Sequence, residues 1–280
     1  MNGNTVDDKR GYLYQNFRLF HLKDQIVQNI DNHYHEFDKI VFFLSGKVTY
    51  IVEGKSYYLK PWDILLINHH DIHKAIIDPS LPYERIIIWV NQSFIDTYNK
   101  QGFDLSTCFK LAGQNSFNLV RLENKLQNQI KILLDELENS IQSEFFASEL
   151  MADTIFIQIL IYLNRVLMDN KSTLHPSSFS YDPKIEELIT YINTHLNSEL
   201  SIQSLSETLY ISKYYLMHKF KKETGYTIHN YILQKRLLMA IDLIKENTPV
   251  TVACLKCGFK DYSTFSRAFK KMFHKTPSEL

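Results

Sequence analysis

A chain of 280 residues, 45% hydrophobic and 22% charged, is long enough for two ordinary domains, each with its own core. The formal net charge is zero, yet Tyr181 to Leu280 carries 14 basic against 10 acidic side chains and the residues before it 17 against 21, so a polyanionic partner belongs at the C-terminal end. No apolar run reaches the roughly 20 residues of a membrane span, the first ten residues lack the apolar core of a secretory signal, and three cysteines are too few for a disulfide scaffold, which points to a reducing cytoplasm.

From about Tyr12 to Val90 the pattern is that of β-structure. Lys39–Ser45, Lys47–Val52, Tyr57–Lys60, Asp63–Asn68 and Tyr83–Val90 are short, rich in β-branched and aromatic residues, and punctuated by Gly46 and Gly54. Many short strands at this spacing predict a small barrel or sandwich. The period then changes. Leu122, Leu126, Ile130, Leu133, Leu134 and Leu137 form a helical stripe over Arg121–Ser140, and Phe146, Leu150, Ile155, Ile159 and Leu163 form a second over Phe145–Met168. These two flanking helices pack on the barrel or pair with a second subunit, so a homodimer is expected. Residues 169–182, polar, Ser-rich and Pro-bounded, read as a linker. The expected plan is a mainly β domain over 1–168, the linker, and an all-α domain over 183–280.

The all-α domain holds two helix-turn-helix units, Leu205–Gly225 and Val252–Phe273. In the first, Ser212 is placed as an N-cap, Leu216 and Phe220 face inward, and Gly225 stops the helix. Lys213, Tyr214, Met217, His218 and Lys221 are left to the outer face. In the second, Asp261 is the cap and Phe265, Ala268 and Phe269 form the buried stripe, leaving Tyr262, Ser263, Ser266, Arg267 and Lys270 outside. A helix presented this way enters a DNA major groove. Arg267 is suited to a guanine edge, and the serines to base or phosphate. Between the units Thr227–Glu246 reads as one helix of ~30 Å, close to the ~34 Å of a DNA turn. Cys254-x-x-Cys257 has no second cysteine pair to make a metal site, and both cysteines read as small core residues.

These residues carry a resemblance. Leu205 to Pro277 is similar to the DNA-binding domain of the AraC/XylS family of bacterial transcription regulators, through Ser212, Leu216, Phe220-Lys-Lys, Gly225, Tyr231, Arg236, Ala240, Gly258-Phe259, Phe265, Arg267, Phe269-Lys-Lys and Thr276-Pro277. The resemblance implies a regulator that binds double-stranded promoter DNA and works with RNA polymerase, with Tyr214, Met217, His218, Tyr262, Ser263, Ser266 and Arg267 facing the bases. Ser206 stands where Ala is usual, and His274 where Gly is usual.

The front half resembles the cupin-like barrel that precedes this domain in many such regulators and holds a small effector, a sugar in many cases. His33-Tyr-His35, placed at the start of a strand, and His73, placed after Asp63–Asn68, match the cupin metal pattern only in part. Lys39 stands at the carboxylate ligand position, and Trp62 where a Gly is expected after Pro61. A cation in a ligand position argues against a metal. His33, His35, His73 and Trp89 are therefore expected to line an effector pocket, with no cofactor and no metal, and His69 and His70 to sit in an exposed turn. The expected function is an effector-responsive activator, not an enzyme. The competing reading is a cupin-type metal-dependent isomerase or oxygenase fused to a DNA-binding domain.

Overall fold

Asp38–Ser45 forms a strand whose first six residues are all buried, on both of its faces. The computed structural model describes residue 13, residues 15–25, 33–100, 102–114, 117–169 and 178–279. They fall into two units: those up to Val52 with Ser56–Ser180, and Glu53–Lys55 with Tyr181 onward. The first opens with β1 (Phe17–Asp24), β2 (Asp38–Ser45), β3 (Val48–Val52), β4 (Lys55–Tyr58), β5 (Ile64–Ile67), β6 (His73–Ile77) and β7 (Tyr83–Val90). Helices α1 (Gln92–Tyr98) and α2 (Thr107–Gln114), strand β8 (Leu119–Val120), helices α3 (Asn124–Gln142) and α4 (Ser148–Met168), and strand β9 (Phe179–Ser180) follow. The strands form two sheets, ordered β1-β7-β2-β5-β8 and β6-β3-β4-β9.

Alternation across the pleat sorts β2 into two cores. Val41 and Phe43 pack between the sheets with Tyr50, Tyr57, Leu65 and Ala75. Ile40 and Phe42 face the helices, with Ile130, Leu134 and Leu137 of α3 and Phe156, Ile159 and Leu163 of α4. Each such side chain contributes ~1.5–3 kcal/mol by leaving water. A strand covered on both sides needs no polar face, so Lys39–Leu44 reads as a nearly unbroken apolar run.

Several expectations are corrected. The second long helix starts at Ser148, so Phe145 and Phe146 lie ahead of it, and Phe146 and Leu150 are exposed rather than part of the buried stripe. Helix α4, 21 residues long, is apolar enough by length and composition alone to cross a membrane. In this unit Ala152, Ile155, Phe156, Ile159, Leu160 and Leu163 bury its inner face. His33 and His35 do not open a strand. His33 makes an isolated bridge to His73, and β2 begins at Asp38. The turn at His69 is half-buried, because His69 reaches the buried Asp38 carboxylate through its backbone N–H at 2.7 Å and Nδ1 at 2.8 Å. Of the expected linker, residues 170–177 lie outside the described residues, while Phe179–Ser180 pairs with β4. Trp62 takes φ 71°, the left-handed region that favours Gly. Its N–H bonds the Phe43 carbonyl at 2.6 Å, and Lys131 Nζ sits 4.4 Å from the ring centroid.

The second unit is helical: α5 (Pro183–Thr194), α6 (Ile202–Thr208), α7 (Lys213–Thr224), α8 (Ile228–Lys245), α9 (Val250–Lys256) and α10 (Tyr262–Phe273), then a short 3-10 turn at Pro277–Glu279. Helix α5 is an addition to the expected plan. It is started by Asp182, which accepts from the N–H groups of Lys184 and Ile185, with Pro183 in the first turn. Ser201, Ser212, Thr227 and Asp261 cap four further helices by the same chemistry. Gly258 is required by its surroundings, because a Cβ there would lie 2.4 Å from the Leu196 carbonyl oxygen. Arg236 donates to that carbonyl and to that of Ser198, at 2.9 and 2.7 Å, tying α8 to the loop after α5. Cys254 and Cys257 are buried in this unit, and Cys108 in the first. Burial pushes the Cys257 thiol up to about 12.

Candidate functional site

Two helices of the second unit bury one face and turn the other to solvent. On α7, Leu216, Phe220 and Thr224 are buried, which turns Lys213, Tyr214, Met217, His218 and Lys221 to solvent. Tyr214 is 70% and Met217 48% exposed, large values for such side chains, and the Tyr214 and His218 rings lie 4.5 Å apart. On α10, Phe265, Phe269 and Phe273 are buried, which exposes Tyr262, Ser263, Arg267 and Lys270 and leaves Ser266 half-buried. Ala268, expected in the buried stripe, is also half-buried. Arg267 Nε donates to the Ser263 carbonyl at 3.3 Å, so the guanidinium lies along its own helix. Both sets concentrate in the first two turns, the part of a recognition helix that reaches base edges. Lys222 and Lys271, next to Lys221 and Lys270 in the last turns, belong to the quoted Phe-Lys-Lys motifs but are not among the residues assigned to the DNA face from the sequence. The doubled lysines were the available signal.

In the first unit, His33, His35, His73 and Trp89 come together. Ring centroids are 4.4 Å apart for His33–His73, 5.0 Å for His33–His35 and 5.2 Å for His35–His73. Two backbone hydrogen bonds, His33 N–H to His73 O at 3.1 Å and the reverse at 2.9 Å, fix the pair. Phe37 stacks between His35 and Trp89, at 4.6 and 4.5 Å, and Phe20 closes on Trp89 at 4.7 Å. Register explains the grouping: Lys39 is opposite both Trp89 and Ile67, so the three share a face. The Lys39 ammonium is buried, 6% exposed, with Nζ 3.4 Å from the Tyr50 hydroxyl. Sequence reading did not include Phe37, Lys39 or Tyr50 in the site. For Phe37 and Lys39, period-two spacing from His35 was the signal.

The electrostatics follow from burial. His73 is 1% exposed, and desolvation, then the Lys39 charge, hold its pKa well below the ordinary value. The same causes in the same order lower His35 to about 2. Both imidazoles are neutral at pH 7. Among the described residues, two of their nitrogens, His35 Nδ1 and His73 Nε2, are buried without a hydrogen-bond partner.

The cupin relation raises the question of a metal. His33, His35 and His73 offer ligand atoms that all lie within 4.8 Å of one another, and neutral imidazoles suit zinc. Lys39 does not fit. Its buried ammonium, where a carboxylate would balance the ion, adds positive charge to positive charge.

Comparison with known proteins decides the family. Residues 20–159 match the AraC-like ligand binding domain, and residues 205–280 match a helix-turn-helix domain. The chain belongs to the AraC family of transcriptional regulators. Relatives of this AraC-type chain span nearly its whole length. It is 26% identical over 249 residues to the probable transcriptional regulator LumQ of Photobacterium leiognathi, covering 88% of this chain and 90% of that one. It is 25% identical over 260 residues to the HTH-type transcriptional activator RhaR of Enterobacter sp. (strain 638), covering 91% and 88%. Among solved structures, the DNA-binding domain of AdpA in complex with a target DNA is 21% identical with a TM-score of 0.33, covering 35% of this chain and 88% of that one. The regulator thus joins a ligand-binding domain to a DNA-binding domain, and the enzyme reading is not favoured.

Proposed function

We propose that this AraC-family protein is a cytoplasmic, homodimeric activator that binds promoter DNA through α7 and α10, engages RNA polymerase there, and answers to a small molecule held by His33, His35, His73 and Trp89. The observation that carries the reading is the pairing of a ligand-binding domain match with two capped helices whose outer faces are polar and basic. Relatives named as activators support the sign of regulation. Effector binding changes transcription only by favouring one state of the chain over another, so the histidine cluster must hold the effector with different affinity in the two states. For α8, 18 residues at ~1.5 Å rise give ~27 Å, near one DNA turn, which supports contact with two successive major-groove faces. The basic excess of the C-terminal hundred residues favours the same partner.

The test is selection of bound sequences from random duplex DNA by the full chain, followed by footprinting. Two protected major-groove segments about one helical turn apart are expected. A protein that enriches no sequence would refute the reading.

A further inference from the structure

We infer that the molecule recognised at the histidine cluster is a small hydroxylated carboxylate, its acid group on Lys39 Nζ and one of its hydroxyls donating to His73 Nε2. This rests on the effector reading above and names the chemical class within it.

The first support is an uncompensated charge. Lys39 is 6% exposed, and among the described residues it has no carboxylate partner. Its hydrogen bond is to the neutral Tyr50 hydroxyl at a long 3.4 Å. An ammonium held this way calls for an anion. The histidines cannot provide one, and they do not share the positive charge either, because burial keeps His35 and His73 neutral.

The second support is the tautomer of His73. Its Nδ1 lies 2.8 Å from the Asp71 carbonyl oxygen. A carbonyl oxygen only accepts, so the proton is on Nδ1 and Nε2 carries the lone pair. That lone pair is fully buried and, among the described residues, unpartnered. It repels a carboxylate and accepts from a hydroxyl. One ligand therefore needs an anionic end for Lys39 and a donor for His73. Trp89 and Phe37, stacked at 4.5 Å, supply an apolar wall for the C–H face of such a molecule. A neutral sugar leaves Lys39 unbalanced. A divalent ion satisfies His73 and worsens Lys39.

The experiment is thermal unfolding of the full chain with millimolar D-gluconate, D-galacturonate, L-lactate or D-glycerate, each beside its neutral counterpart D-glucose, D-galactose, propane-1,2-diol or glycerol, and beside zinc chloride. At least one acid should raise the midpoint by several degrees, its neutral counterpart should not, and Lys39→Met should erase the shift. Without ligand, Lys39→Met should melt no lower than wild type, because it removes an unbalanced buried charge. A neutral counterpart acting as well as its acid, zinc acting in place of the acids, four inactive acids, or a destabilised ligand-free Lys39→Met each overturns the inference. A neutral winner whose effect is lost in His73→Phe leaves the effector reading standing while removing the acid. Failure to select any DNA sequence removes the regulator reading instead.

Discussion

Arg121 grips Asp63 with two hydrogen bonds, Nε to Oδ1 and Nη2 to Oδ2, both 2.6 Å long. The carboxylate is 1% exposed and also accepts from the Lys60 backbone N–H at 2.8 Å. The pair joins the turn before β5 to the chain entering α3, and Arg121 Nη1 adds Ser178 at 2.8 Å. Arg121→Met leaves a buried carboxylate without its cation and should cost the first unit about 3 kcal/mol. Urea unfolding followed by tryptophan fluorescence measures it, since both tryptophans lie in that unit. A loss below about 1 kcal/mol would show that the pair is replaceable by water.

Acid should weaken the first unit through its histidines. His35 and His73 have folded pKa values below the unfolded 6.5, so the unfolded chain binds more protons wherever the pH is under 6.5. Their contribution is complete above that value and falls away as the pH drops toward the folded values, near 2 for His35. Each contributes up to ~1.4 kcal/mol per pH unit. His73→Phe should therefore flatten the stability slope between pH 6.5 and 5 relative to wild type. Parallel slopes in the two proteins would contradict a neutral buried His73.

On the DNA side, Arg267 and Lys270 should separate. Arg267→Ala should weaken the selected site by ~1–3 kcal/mol and scrambled DNA much less. Lys270→Ala should weaken both alike and reduce the salt slope by about one. Equal losses on the two DNAs for Arg267→Ala would remove it from base reading.

Two backbone positions in the second unit should respond in opposite directions. His274 ends α10 at φ 60° and is exposed, so His274→Gly should stabilise by ~0.5–1 kcal/mol. Gly258→Ala meets a carbonyl at 2.4 Å and should destabilise by at least ~2 kcal/mol. Thermal melts read by circular dichroism report both, and a harmless Gly258→Ala would mean that the Leu196 loop yields.

The expected dimer is tested away from the buried stripe of α3. Leu133 is 6% exposed and Leu126 packs on the core, so charging either would damage the unit itself. Phe146 and Leu150, 101% and 63% exposed, are the positions to change. Phe146→Glu with Leu150→Glu should give a folded monomer by sedimentation. A wild-type monomer at micromolar concentration would dismiss the dimer.

The DNA-binding half was largely legible because its signals are local. Ser212, Asp261 and Gly225 mark helix ends in place, and Leu216, Phe220, Phe265 and Phe269 mark the inner face by spacing alone. Trp62 and His274, noted as departures from a Gly pattern, fall at φ 71° and 60°, so the family's Gly preference there has a backbone cause. The histidine cluster was half legible. His33, His35, His73 and Trp89 stand out in the sequence, but Tyr50 joins them across the β3–β6 pairing, which one strand read alone does not disclose. Short elements escaped as well. Strand β8 has two residues, too few for any periodicity.

The three cysteines give the molecule two internal clocks. Cys108 sits on α2 in the first unit, while Cys254 and Cys257 belong to the second. All three are buried thiols whose pKa is raised by desolvation, so an alkylating reagent meets them only when the surrounding structure opens. The rate of labelling at Cys108 therefore times excursions of the sensor half, and labelling at Cys254 and Cys257 times those of the reading half, in the same tube and without any added probe. A small molecule that enters the barrel should slow the first clock directly, and any slowing of the second would be a measure of how much of that binding energy reaches the helices that read DNA.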